Sequence, residues 1–316
     1  MTAFAPDRVV TAELVAVLVA VTRGQPRVLT TQCGQALPAG PFQQAHRSLQ
    51  AGLRAWVEAQ THHPLGYVEQ LYTFADQDRI DGAGRRVVSV GYLGLTRESD
   101  SIAVDNVGWQ DWYGYFPWED WRNGIPSLIE RVILPGLATW AGQADDPNER
   151  THRRQRIAFT FGAEDFPWNE DMILQRYELL FEAGLVPEAV RRSGHPQPGG
   201  AEGLVPGQPM NHDHRRILAT GIARVRAKIK YRPVMFELMP AEFTLTQLQT
   251  AVEALAGREL HTPNFRRLMA QQALLEETGA MATGTPGRPA RLYRFRRDVR
   301  LERAIAGTSL PFARQP

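Results

Sequence analysis

Gly40, His46 and the run Arg54-Ala55-Trp56-Val57-Glu58-Ala59 stand at the intervals of a helix-borne metal site from which most of the carboxylates are missing. Residues at i, i+3 and i+4 share a helix face, so acids at 55, 58 and 59 would converge on one point. Such a point suits magnesium, which takes one or two carboxylates together with phosphate oxygens and waters. Here the three positions are Ala55, Glu58 and Ala59, and His46 stands where a further acid would be needed. Neutral imidazole is a poor magnesium ligand and does not repair the loss. One carboxylate, Glu58, remains, so the spacing of a metal-holding helix face survives without its chemistry.

That spacing resembles the Nudix signature, Gly-x5-Glu-x7-Arg-Glu-U-x-Glu-Glu-x-Gly-U with U aliphatic. Leu37-Pro38-Ala39-Gly40-Pro41-Phe42 is similar to the run that leads into the Nudix helix, and Ser48-Leu49 opens the helix as in that family. Tyr67 to Phe74 and Arg86 to Leu93 resemble the two strands that follow it in regulators related to Nudix hydrolases. The resemblance implies an α/β/α sandwich with a ligand pocket contacted by Phe42, Arg54, Glu58, Tyr72 and Phe74. On residue types alone, Arg54 and Glu58 fit equally an i, i+4 ion pair on the helix surface. No catalytic residue and no metal ligand is expected, and no cofactor is required.

Elements must position these residues, and the chain has the means. With 316 residues and 43% hydrophobic content it can bury one large core or two smaller ones, and two domains is the expectation. No charged-then-apolar leader opens it, and the apolar run Leu14 to Val21 is too short to span a bilayer, which points to a soluble, cytoplasmic protein. The lone cysteine, Cys33, excludes an internal disulfide framework and a cysteine zinc site, and reads as a small apolar residue near a strand end. His62-His63 could ligate a metal, but a loop pair without nearby acids reads as solvated.

Charge divides the chain. Of 36 Lys+Arg and 34 Asp+Glu, 18 and 9 fall at 211–316, leaving the first 210 residues with 18 and 25. The basic third is the candidate polyanion binder, and nearly all its charge is guanidinium, suited to bidentate phosphate or guanine contacts.

Along the first 210 residues, Val9 to Val21 and Pro26 to Thr31 read as a hairpin about Arg23-Gly24-Gln25, and Ser48 to Gln60 as a helix. Strands at Val68 to Phe74 and Val87 to Leu95 flank a turn region from Asp76 to Arg85. The cluster Trp109, Trp112, Tyr113, Tyr115, Phe116, Trp118 and Trp121 admits two readings, a stacking platform for adenine or ordinary core and dimer-contact aromatics. Ile125 to Ala141 reads as a helix interrupted at Pro135-Gly136, Gln155 to Phe161 as a strand, and Glu170 to Ala183 as an amphipathic helix. Gly194 to Pro209 reads as a loop or linker.

From His212 a helix carrying Arg215, Arg216, Arg224, Arg226, Lys228 and Lys230 is expected to join the domains. Thr244 or Thr246 then caps a helix that ends at Gly257, and Thr262-Pro263 opens a second, with Thr262 as its cap. Leu274 to Met281 and Ala290 to Phe295 read as a two-stranded wing about the tip Thr283 to Pro289. Phe243 to Gln249, Asn264 to Arg267 and Gly287 to Phe295 are similar to the winged-helix segment of the Nudix-related transcriptional regulators of NAD metabolism, the NrtR family. The middle segment, particularly Trp112 to Arg122, resembles the alphaproteobacterial NadQ branch.

These resemblances imply an α+β protein of two domains. Residues 1–210 would form a degenerate Nudix-like ligand-sensing and dimerisation domain, and 211–316 a linker helix with a winged helix-turn-helix domain. The implied function is repression of genes for NAD synthesis or salvage, by a homodimer on a palindromic duplex operator, with ADP-ribose, NAD or ATP as effector. Thr262, Asn264, Arg266, Arg267, Arg288, Arg291 and Tyr293 would meet DNA. The rivals are a Nudix hydrolase of ADP-ribose, using Glu58 with an acid outside the box such as Glu69, Asp76 or Glu119, and an inert scaffold for another protein.

Overall fold

The computed structural model describes residues 10–66, 68–75, 79–80, 84–98, 104–163, 165–193, 204–231, 234–282 and 289–296. Eight strands and eight α-helices are described: β1 (Val10–Thr22), β2 (Gln25–Thr30), β3 (Ala39–Pro41), α1 (Leu49–Thr61), β4 (Val68–Phe74), β5 (Arg86–Leu95), β6 (Gly108–Asp111), α2 (Leu134–Gly142), α3 (Pro147–Phe161), α4 (Ile173–Glu182), α5 (Pro187–Ser193), α6 (His214–Tyr231), α7 (Leu245–Ala256), α8 (Thr262–Gln272), β7 (Leu275–Met281) and β8 (Arg291–Phe295).

The main sheet runs β4-β5-β1-β2-β6, with β3 paired to the first half of β1. β1 is its axis, parallel to β5 from Val10↔Arg86 to Val19↔Leu95 and antiparallel to β2. A strand buried on both faces should be apolar without alternation, and every residue from Leu14 to Ala20 is buried. Leu14, Ala16 and Leu18 pack against Leu53 and Val57 of α1. Val15, Val17 and Val19 face the other way, onto Ile217 and Ile222 of α6 and the aromatic segment. The expected α/β/α sandwich results, with α1 on one face and α6 on the other.

α6 lies flush on β1 because Gly221 has no side chain: a Cβ there would stand 2.7 Å from a Val17 methyl. The helix expected to join the domains is thus part of the sandwich. Short signals behave as expected elsewhere. Ser48 caps α1 by accepting from the Ala51 amide, and Thr244 closes a capping box with Gln247 at the start of α7.

Several readings are corrected. Residues 155–161 are not a strand but the end of α3, which starts at the Asp146 cap with Pro147 in its first turn and stops at left-handed Gly162. The β-like composition of Ile157 to Phe161 is overridden by caps at both ends. Pro135 does not interrupt a helix; a π-helical turn over Ile129–Ile133 runs directly into α2, where the proline falls in the first turn and needs no amide bond. His261, not Thr262, is the N-cap of α8. Cys33 is exposed in a turn with φ 55°, its Sγ 2.9 Å from Asn106 Oδ1, so it does not serve as an apolar packing residue. His63 is buried rather than solvated, bonded to Thr96 Oγ1 at 2.9 Å and edge-on to Trp109. Of the expected 194–209 linker, 194–203 lies outside the described residues, while 204–209 is tied down by Val205 N to Leu185 O and Gln208 N to Gly114 O.

Candidate functional site

The degenerate box folds as expected in outline and is then filled by its own side chains. Gly40 lies under the Trp56 ring, whose Nε1 donates to Pro41 O at 2.9 Å. His46 packs over Gly52, where an added Cβ would be 2.6 Å from Nδ1, and that Nδ1 accepts the Gln43 amide at 3.1 Å. Arg54 donates to the carbonyls of Leu65 and Gly66. The surface ion pair with Glu58 therefore does not form; Arg54 closes the loop after α1 instead. Glu58 is exposed. A magnesium ion does not fit this donor set, because Ala55 and Ala59 supply no oxygen and the His46 nitrogen is already an acceptor. Among the described residues no three His, Cys, Asp or Glu side chains come together to hold a metal.

Of the five residues expected to contact a ligand, Tyr72 and Phe74 stand on β4 with ring centroids 5.6 Å apart, and Arg54 and Glu58 lie on α1. Phe42 stands 5.8 Å from the His46 ring, beside α1. Phe74 is buried in the core on the α6 face, with the Arg216 guanidinium 5.5 Å over its ring, and Tyr72 is 64% exposed.

The aromatic segment resolves as core. Trp112, Tyr115, Phe116 and Trp118 are fully buried, so none is free to stack on a ligand. Their packing positions Glu119, which sequence reasoning weighed only as a catalytic acid. Its carboxylate is enclosed and accepts from Arg176 Nε at 2.6 Å and Nη2 at 2.9 Å, and from Arg226 Nη1 at 2.6 Å. Burial alone would push its pKa up; the two guanidiniums and their hydrogen bonds outweigh burial and hold it below the usual carboxylate range. Arg176 comes from α4 and Arg226 from α6. The latter also donates to Leu255 O, at the end of α7.

This cluster latches α7 to the sandwich. Tyr113 Oη donates to Ala254 O at 2.8 Å, and Trp121 N donates to Gly257 O at 2.7 Å. Gly257 has φ 75°, and a Cβ on it would run into Glu119 O and Tyr113 Oη, so only glycine ends α7 here. On the far side, Arg122 Nη1 reaches Gly24 O in the β1–β2 turn at 2.7 Å.

α7, α8 and the β7–β8 hairpin form a helix-turn-helix with a wing, closed by the bridge Phe243↔Tyr293. Of α8 only Phe265 is buried; Thr262, Asn264, Arg266 and Arg267 are exposed. Thr262 Oγ1 accepts from Gln249, and Asn264 Oδ1 accepts from Arg267 at 3.3 Å. On the wing, Arg291 is bound by Glu277 at 2.7 and 3.0 Å, and Tyr293 Oη stands 3.3 Å from the same carboxylate. Arg288 lies outside the described residues.

Of the cationic face expected on the 212–230 helix, the Lys230 side chain lies outside the described ones, and the other five cations are spent internally. Arg215 pairs with Glu188, Arg216 with Glu178, Arg226 with Glu119, and Arg224 and Lys228 both with Glu69. The acidic excess of the first 210 residues meets this helix, while Arg266 and Arg267 of α8 are exposed.

A Nudix-like sheet carrying a winged helix-turn-helix is thus the class that fold and site define. Residues 235–295 match the NrtR DNA-binding winged helix domain. The ADPR responsive transcriptional repressor NtrR of Acinetobacter baylyi is 40% identical over 83 residues, a match that spans 26% of this chain and only 33% of that protein. Shewanella oneidensis NrtR, solved with a 27mer DNA, superposes with a TM-score of 0.55 at 20% identity, covering 91% of this chain and 94% of that one. The same protein solved without DNA gives 0.53 at 21% identity, with 91% and 95% covered. At these identities the two structures establish a shared fold. No helix among the described residues is long and apolar enough to cross a membrane.

Proposed function

We propose that this chain is a DNA-binding transcriptional repressor of NAD synthesis or salvage genes that senses an adenine nucleotide of the ADP-ribose kind and does not hydrolyse it. The observation that carries the reading is α8: an exposed helix at the second position of a helix-turn-helix, presenting Asn264, Arg266 and Arg267 without acidic partners among the described residues. Such a helix lays its N-terminal side chains into the major groove, where Arg reads guanine and Asn reads adenine. The name of the Acinetobacter relative supports ADP-ribose as effector.

The functional division is 1–210 for sensing and dimerisation and 211–316 for DNA, with α6 shared because it packs in the sandwich. A homodimer would set two heads over a palindromic site. An effector acts only if it binds the DNA-competent and DNA-incompetent arrangements with different affinity. Gel shift against the duplex upstream of the chain's own gene, with and without ADP-ribose, NAD and ATP, tests the reading. A shift altered by one of the three supports it; magnesium-dependent release of AMP from ADP-ribose without a shift would favour the hydrolase.

A further inference from the structure

We propose that the seam between the sandwich and the winged helix holds a site for an uncharged, largely apolar small molecule. It is a cleft of about 640 Å³ beneath α8, walled by Ile229 of α6, Leu248 and Val252 of α7, Phe265 and Leu268 of α8 and Phe295 of β8. This goes beyond the nucleotide sensing proposed above, because the cleft selects against a phosphate.

The cleft arises from the way α8 is seated. Phe265, Leu268 and Met269 share a helix face at i, i+3 and i+4, so that face should close over the core of the head. Only Phe265 does so; Met269 is half-buried and Leu268 is 46% exposed. Val252 and Ala256 of α7 line the same space and are short, and the gap is left unfilled. Protein interiors hold few voids larger than a water molecule, and a void lined by apolar groups admits an apolar guest more readily than solvent. The volume is that of an ordinary ligand pocket. Met235 and Met269 also line it, and their flexible thioethers can adapt to the shape of a guest.

Charge decides the kind of guest. Two guanidiniums reach the cleft and both are engaged, Arg226 by Glu119 and Arg258 by Glu170. Glu259 adds an exposed carboxylate at the rim. An anion would have to draw a guanidinium from its carboxylate and then lie near a further acid, whereas an uncharged compound does neither. The exposed His261 ring and Gln272 amide at the rim can hydrogen-bond one hydroxyl or carbonyl of the guest.

The location gives such a guest leverage. It touches α6 and α8 at once, and Arg226 in its wall also holds Glu119 and the Leu255 carbonyl of α7. An occupied cleft buttresses the helix that carries Asn264, Arg266 and Arg267 against the sandwich.

The test uses Nile red, an uncharged apolar dye whose emission strengthens on leaving water, titrated into the full chain as wild type, Val252→Trp, Leu268→Lys and Phe159→Ser. Val252→Trp fills the cleft, and Leu268→Lys sets a charge in its wall. Leu268 is exposed, so the second change spares the fold even where the larger indole disturbs it. Phe159→Ser thins the exposed Phe159–Phe166 pair, an apolar surface elsewhere on the chain. The expected result is saturable one-site binding to the wild type, at least tenfold weaker in both cleft variants and within twofold of wild type in Phe159→Ser. Binding lost in Phe159→Ser but kept in the cleft variants overturns the site, as does a wild type that gives no saturable signal. Displacement of the dye from the wild type by ADP-ribose overturns the assignment of an uncharged guest.

Discussion

Replacing Glu119 by Gln keeps the volume of the side chain and removes its charge, which leaves the guanidiniums of Arg176 and Arg226 buried against each other without a counterion. The carboxylate accepts three charge-assisted bonds of 2.6 to 2.9 Å, and hydrogen bonds to charged groups are each worth about 1.5–3 kcal/mol. Their sum is offset by the cost of bringing three charges out of water, so the pair adds little over an apolar filling. Removing one partner is different, because the desolvation is then uncompensated, and about 3–5 kcal/mol is lost. The assay is urea unfolding followed by tryptophan fluorescence, with Glu182→Gln as control. The Arg156–Glu182 pair is 34% and 45% exposed, and a pair of that kind is worth about 0–1 kcal/mol. Glu119→Gln should lower stability several-fold more than Glu182→Gln. Equal midpoints for the two variants would refute the claim that this carboxylate latches α7.

Other outcomes follow from the same geometry. Gly257→Ala should destabilise by more than the roughly 1–3 kcal/mol of a strained backbone, since its methyl meets Glu119 O and Tyr113 Oη; Gly142→Ala, with open space around it, should be near neutral, and thermal melts of the two settle the matter. His214 is buried, its Nδ1 accepting the Leu37 amide at 2.8 Å, and burial pulls its pKa down to about 4. Its unfolded value is higher, so the stability it contributes is complete above about pH 6.5 and is lost as pH falls from there toward 4; His214→Gln should flatten that limb of a stability profile taken from pH 7 to 4. The ionised Glu119 behaves alike at lower pH, contributing fully above the ordinary carboxylate value and less as pH drops through its depressed one. Arg267→Ala should weaken operator binding by about 1–3 kcal/mol if it makes a bidentate guanine contact, and an unchanged gel-shift affinity at fixed salt would remove it from the interface.

What could be read in the chain alone was local. The hairpin about Gly24, the helix opening at Ser48-Leu49, the cap at Thr244 or Thr246 and the Gly257 stop are short-range signals, and each appears, with Thr244 as the cap. The loss of carboxylates at 55 and 59 was also plain, since a methyl cannot ligate an ion in any fold. Only the tertiary structure decided where the guanidiniums went. An arginine looks the same in sequence whether it meets a phosphate or a buried glutamate, and partners 107 residues apart, such as Arg226 and Glu119, leave no periodic trace. For the same reason the aromatic run could be recognised but not assigned until its rings were seen packed in the core. Residues 155–161 were misread because β-branched and aromatic composition is a weak prior, and caps at Asp146 and Gly162 outweigh it once the whole helix is in view.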